Sequence, residues 1–294
     1  MKPTLVELIC QGKTLVSDGA WGTFLQAKGL MPGECPELWN AEHADEVFDI
    51  ARSYIEAGAD TIETNSFGGN YFKLKNFGLE NRVYELNKKA AEISHRAAGA
   101  DKYVLGSIGP TGKILMMGDV TEEELYDAFK EQAIALYDGG ADALVIETMT
   151  AIDEAEIAVR AARENTPCEV ICTMTFDYLA TGEYRTMMGV SPAEMVEALT
   201  AAGAHIVGAN CSNGMEGMIR ITEEIRRVNQ DIPVLIHANA GMPELHENCT
   251  VFPESPEMMA EIAPGLALAG ANIIGGCCGT TPAHIHKLVE VLKK

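Results

Sequence analysis

The chain has 294 residues, of which 47% are hydrophobic and 22% charged, a globular composition long enough to bury a core without disulfide staples. Lys and Arg number 22 against 43 Asp and Glu, a formal net charge of -21, which argues against nucleic acid or an anionic membrane as partner. No apolar run is long enough to span a bilayer, and the start, MKPTLVELICQG, lacks a signal-peptide pattern. The eight cysteines are too dispersed for a secreted disulfide framework, so a cytoplasmic protein with reduced thiols is expected.

Along the chain, the first strand-like run is TLVSDG, residues 14–19. A recurring phrase follows: a helix tail, a small-residue stop and a short apolar run. It occurs at 56–67 (EAGADTIETNSF), 138–150 (DGGADALVIETMT), 201–213 (AAGAHIVGANCSN) and 268–280 (LAGANIIGGCCGT). Three further runs, 103–110, 169–176 and 233–241, complete eight expected strands. Amphipathic helices separate them. One opens on Thr121 as N-cap with acids in its first turn, another on Ser191 with proline at the first helical position. Eight alternating units predict an α/β chain folded as one (β/α)8 TIM barrel over residues 1–294. No G-x-G-x-x-G follows a first strand, which disfavours an open dinucleotide-binding sheet.

Active sites of such barrels lie at the C-terminal ends of the strands. In order these ends carry Asp18; Thr64 and Asn65; Ser107; Glu147 and Thr148; Thr175 and Asp177; Asn210 and Cys211; His237 and Asn239; Cys277 and Cys278. All are expected to converge on one pocket. Cys211 closes the sixth strand; Cys277 and Cys278 close the eighth. Strands six and eight are two apart around the ring, so their tips face one mouth, and three thiolates from these two loops make an open zinc site with a free fourth position, soft ligands favouring zinc over magnesium or calcium. Inert thiols or a vicinal disulfide are the alternative. Cys10, Cys35, Cys168, Cys172 and Cys249 read as packing or surface residues.

A three-thiolate zinc is a poor activator of water and favours a fourth thiolate, taken from a substrate thiol that loses its proton on binding. The reaction class this implies is alkyl transfer to sulfur. Asp18 and Glu147 are candidates to grip a substrate ammonium group, or else serve as caps and loop ties. Trp21 and Tyr71 could form a partial cage for a small cationic donor.

The motifs SDGAWGT, IETNSFGGN, GSIGPTG, ALVIETMT, GANCS, NAGMP and GGCCGTTPAHI occur in one order over about residues 5–294. The chain resembles the homocysteine S-methyltransferase family, and within it the homocysteine-binding module of cobalamin-dependent methionine synthase. The resemblance implies zinc on Cys211, Cys277 and Cys278, with Asn239 able to approach the metal when substrate is absent. It implies homocysteine as the thiol, held by Asp18 and Glu147, with Thr64, Asn65 and Ser107 also lining the substrate site. Ser107 stands where some relatives carry Asp. D-x-H-x-x-G, the cobalamin-binding signature, is absent from the sequence. Either the chain is an excised module, or it stands alone and its methyl donor comes from outside: methylcobalamin on a separate corrinoid protein, or else S-methylmethionine or betaine. A different thiol acceptor is a further alternative, and a non-catalytic zinc or redox-sensing module a remote one.

Overall fold

The computed structural model describes residues 2–246 and 249–293. Eight parallel strands form the barrel: β1 (Leu15–Val16), β2 (Thr61–Glu63), β3 (Tyr103–Ile108), β4 (Ala143–Met149), β5 (Glu169–Met174), β6 (Ile206–Asn210), β7 (Val234–Ala238) and β8 (Ile273–Gly276). Each falls inside an expected run. They pair in the ring order β1-β8-β7-β6-β5-β4-β3-β2, and the fold is the (β/α)8 barrel the sequence predicts. The helices expected after Thr121 and Ser191 begin there, each with a reciprocal capping box, to Glu124 and Glu194 respectively. Among the described residues no helix is long and apolar enough to cross a membrane.

Alternation along the strands sorts side chains into two layers. Val104, Leu144, Ile146, Val207, Ile236 and Ile274 belong to the large core between strands and helices. Leu105, Val145, Ile171, Ile206, Leu235 and Ile273 fill the lower barrel interior. The short helix Leu5–Cys10 closes that end, inserting Leu5 and Leu8 into the same cluster. The Glu169 carboxylate accepts the Leu5 and Val6 N–H groups at 2.7 and 3.0 Å, satisfying donors that the first helical turn leaves free. Higher up, the same alternation brings Ser17, Glu63, Ser107, Glu147, Thr173, Asn210 and His237, all buried.

The seam between β1 and β2 closes differently from the rest of the ring. The Asp60 N–H donates to the Val16 carbonyl, and the Asp60 carboxylate accepts the Val16 N–H at 2.9 Å. One turn higher, Asp18 Oδ2 accepts the Glu63 N–H at 2.9 Å. Asp60 also takes Lys102 and Lys293 on its other oxygen.

Two hairpins rise from the loops after β5 and β7, pairing Asp177–Tyr178 with Tyr184–Arg185 and Glu244–His246 with Cys249–Val251. Neither is expected from the sequence reading, and Cys249 starts a short strand instead of lying in a loop. Cys35, Cys168 and Cys172 are buried and Cys10 is exposed, as packing or surface residues should be.

Replacing Asp60 by Ala would leave the fully buried Val16 N–H without an acceptor. The expected cost is roughly 1–3 kcal/mol, read as a lower urea midpoint. An unchanged midpoint would show that the seam does not depend on this carboxylate.

Candidate functional site

The three cysteines are placed by backbone bonds between the loops after β6, β7 and β8. Cys211 N–H donates to the His237 carbonyl at 3.1 Å, and Cys277 N–H to the Ala238 carbonyl at 2.7 Å. The Cys278 carbonyl accepts from Ala240 N–H at 3.0 Å. Cys211 and Ser212 both adopt positive φ, 63° and 57°, a conformation that costs side-chain-bearing residues energy and is held here by these contacts. In the last loop Thr280 Oγ1 donates to the Cys277 carbonyl at 2.7 Å and accepts from Ala20 N–H at 3.0 Å. A Cβ on Gly276 would lie 2.2 Å from that oxygen, and Gly279 turns at φ +81°, so both flanking glycines are required.

The result is a cluster in which the sulfurs of Cys211, Cys277 and Cys278 all lie within 4.8 Å of one another, able to hold a metal ion. Cys211 and Cys278 Sγ are 3.9 Å apart, against roughly 3.8 Å for two sulfurs on tetrahedral zinc with 2.3 Å bonds. Asn239 Oδ1 is buried without a hydrogen-bond partner, while the Asn239 side chain hydrogen-bonds Cys211. Hydrogen bonds from Cys277, then Cys278, pull the Cys211 thiol below its usual range, and the same sharing pushes the other two up. One thiolate forms easily. A second and third need a cation.

The cluster opens into a cavity of about 290 Å³. Thr64, Asn65, Ser107, Glu147, Thr148, Cys211, His237, Cys277 and Cys278 line it, together with Trp21, Glu37 and Glu63. Glu147 accepts from Ser107 Oγ at 2.5 Å and Asn210 Nδ2 at 3.3 Å. Asn210 also accepts the Thr148 N–H at 2.8 Å and bonds Thr148 Oγ1 and Thr173 Oγ1 at 2.7 Å each, fixing Thr148 at φ 61°. Asn65 turns its amide back onto Pro36 and Asn40 and so ties the loop at the cavity edge. Thr64 Oγ1 accepts the Ser107 N–H at 2.9 Å.

Not every strand-end residue reaches the cavity. Asp18 lies beneath its wall, 1% exposed, accepting from Ser17 Oγ, Trp21 Nε1 and Glu63 N–H. Thr175 bonds Ser212 at 2.9 Å instead. Asp177, on the first hairpin, faces a separate open depression of about 510 Å³ beside Arg220 and Tyr184. The Trp21–Tyr71 cage does not form: Trp21 lines the cavity, but Tyr71 packs edge-on to Phe72 away from it. A residue absent from the expected set is Glu63. It sits in the quoted run IETNSF, one residue before Thr64, and its place at the end of a strand starting Thr-Ile was the available signal.

Glu63 Oε1 lies 3.4 Å from His237 Nδ1 but makes no hydrogen bond, because the geometry is poor. Burial lowers His237 and holds it neutral. Burial raises Asp18, Glu63 and Glu147; the Asp18 charge raises Glu63 further, and the Glu63 charge raises Glu147. Among the described residues the cavity lining is acidic and includes no Lys or Arg.

The family model for homocysteine S-methyltransferase matches residues 15–292. The methionine synthases of Mycobacterium tuberculosis and Mycobacterium leprae are 34% and 32% identical over 98% and 99% of the chain, which spans about a quarter (25%) of their length. Among solved structures, the homocysteine methyltransferase MmuM of Escherichia coli in its metallated form superposes with TM-score 0.77. That match covers 96% of this chain and 97% of the other at 24% identity, a likeness of fold.

A carboxyl group whose pKa is raised on folding favours the folded state below its unfolded pKa, and that contribution is lost as pH climbs through the folded value. Glu63→Gln, which imitates the protonated acid, should stabilise the ligand-free protein by roughly 0.5–2 kcal/mol at neutral pH. Its Tm advantage over wild type should widen from about pH 5 to about pH 8. A constant or reversed difference would mean that Glu63 is not held up by burial.

Proposed function

We propose, from the premise that the chain belongs to the homocysteine S-methyltransferase family, that it binds zinc and transfers a methyl group to the sulfur of homocysteine. The observation that carries this reading is a three-sulfur cluster opening into a small cavity whose far wall is a buried carboxylate, Glu147. Cys211, Cys277 and Cys278 would hold the ion, with Asn239, whose side chain bonds Cys211 and whose Oδ1 is unpartnered, an oxygen donor beside them. Zinc bound there supplies a Lewis-acidic position at which a thiol loses its proton near neutral pH. Glu147, oriented by Ser107 and Asn210, receives the substrate's ammonium group and so sets the direction of the thiol chain. Thr64 fixes the β2 and β3 ends around it, and Asp18 supports the wall from beneath. Positioning and exclusion of water supply the rate, and no side chain is needed as a base in the transfer itself.

The donor in this reading is a methyl-corrinoid protein. Two observations favour it over a small cationic donor. The Trp21–Tyr71 pair that could cage a sulfonium or quaternary ammonium is not assembled, and the aromatics lining the cavity are Trp21 and the partly exposed Phe67. The loops around the mouth expose large apolar side chains, Met116, Met117, Met187, Met242, Leu245 and Tyr178 among them, which suits a macromolecular partner.

Wild-type protein should contain about one equivalent of zinc. Sulfur ligation by X-ray absorption should rise from about three to about four on adding homocysteine. Cys211→Ser should lose both the metal and turnover while keeping its circular dichroism spectrum. A Cys211→Ser protein that retains zinc and activity would sink the ligand assignment. With zinc-loaded protein, methionine should form from methylcobalamin faster than from S-methylmethionine or betaine; the reverse order would replace the donor and leave the acceptor chemistry standing.

A further inference from the structure

Three carboxylates crowd the upper interior of the barrel, and their hydrogen bonding is unequal. Asp18 accepts from a hydroxyl, an indole N–H and a backbone N–H. Glu147 accepts from Ser107 on one oxygen and Asn210 on the other. Glu63 Oε1 accepts nothing, although its side chain is only 10% exposed. It lies 3.4 Å from Nδ1 of the His237 ring, whose own Nε2 is also unpartnered. A buried carboxylate oxygen without a donor is unfavourable unless a ligand completes it. Glu63 lines the same cavity as Glu147 and the sulfurs, whereas Asp18 does not.

We propose that Glu63 is a specificity-determining residue whose Oε1 accepts an N–H from the substrate's α-ammonium group, making the pocket selective for amino-acid thiols over thiols lacking the amine. This rests on the functional reading above. An ammonium carries three donors. Glu147, whose two oxygens each already accept one bond, satisfies part of that set, and Glu63 is the cavity carboxylate with an oxygen still free. The acidic wall repels the substrate's carboxylate, so the amine end is the one that turns toward β2 and β4. Asp18 contributes by holding the Glu63 backbone through its N–H, which fixes where the side chain starts.

The test is calorimetric binding of two probes to zinc-loaded protein: L-homocysteine, and 4-mercaptobutanoate, which keeps the thiol and carboxylate but lacks the amine. Wild type should bind L-homocysteine at least about tenfold more tightly than 4-mercaptobutanoate. Glu63→Gln should lose about tenfold or more for L-homocysteine with 4-mercaptobutanoate unchanged, collapsing the preference. Zinc content and melting temperature report whether the variant is folded. Should it fail to fold, Glu63→Asp, which keeps the charge but withdraws it by a methylene, must show the same selective loss. Equal weakening of both probes would overturn the proposal in favour of a structural role, and so would no weakening of either. Wild type that binds neither thiol would instead bring down the functional reading, and the proposal with it.

Discussion

The carboxylate of Asp18 joins two things that a barrel must do separately. It accepts the Glu63 N–H across the β1–β2 seam, where backbone pairing is sparse, and it accepts the Trp21 indole that forms part of the cavity wall. Closure of the ring and shape of the pocket therefore share one side chain. This follows from the brevity of β1, whose two residues cannot supply a full ladder to β2. The donors left over along the seam must find acceptors: Asp60 takes the Val16 N–H of β1 below, and Asp18 takes the Glu63 N–H of β2 above. The Asp18 carboxylate, which the sequence reading offers as a grip for an ammonium group, has its hydrogen bonds made within the fold.

The upper interior holds groups in states that folding alone would not select. Three acids are buried together, an imidazole is kept neutral, and Thr148, Cys211 and Ser212 occupy left-handed backbone. Each is over-determined by its neighbours: Thr148 by Asn210, Cys211 by the β7 backbone, Glu147 by Ser107. Such sites carry a stability cost that a bound cation or ammonium relieves. The apolar lower half, from Leu5 and Leu8 up to Leu235, supplies the compensating burial.

Much of this was legible in the sequence because periodicity and punctuation are local. The eight strands and the capped helices after Thr121 and Ser191 follow from patterns within short windows, and the three-cysteine cluster follows once those strands are closed into a barrel. What was not legible depends on direction. A residue at a strand end can face the pocket, the wall or the neighbouring loop, and one place along the strand decides which. Thr175 and Asp177 turned out to face elsewhere for this reason, and Asp18 lies under the surface it was expected to form. Glu63 was passed over because Thr64 and Asn65, next to it, looked equally polar. The inward alternation of β2, shared with Thr61, is what selects it. The hairpins after β5 and β7 escaped because their strands are two or three residues long, too short for any period to show.

The helix Leu5–Cys10 closes the end of the barrel opposite the sulfur cluster. Its leucines seal the lower end and Glu169 fastens it there. Whatever reacts at the sulfur cluster arrives and departs by the same doorway between the loops. Two reactants of unequal size must then queue. On the proposed function, with a macromolecular methyl donor, the acceptor that reaches deepest would have to be seated before the donor covers the rim, and the methylated product would stay trapped until that donor withdraws. The order of events on such an enzyme is written into its floor, at the end of the barrel opposite the chemistry.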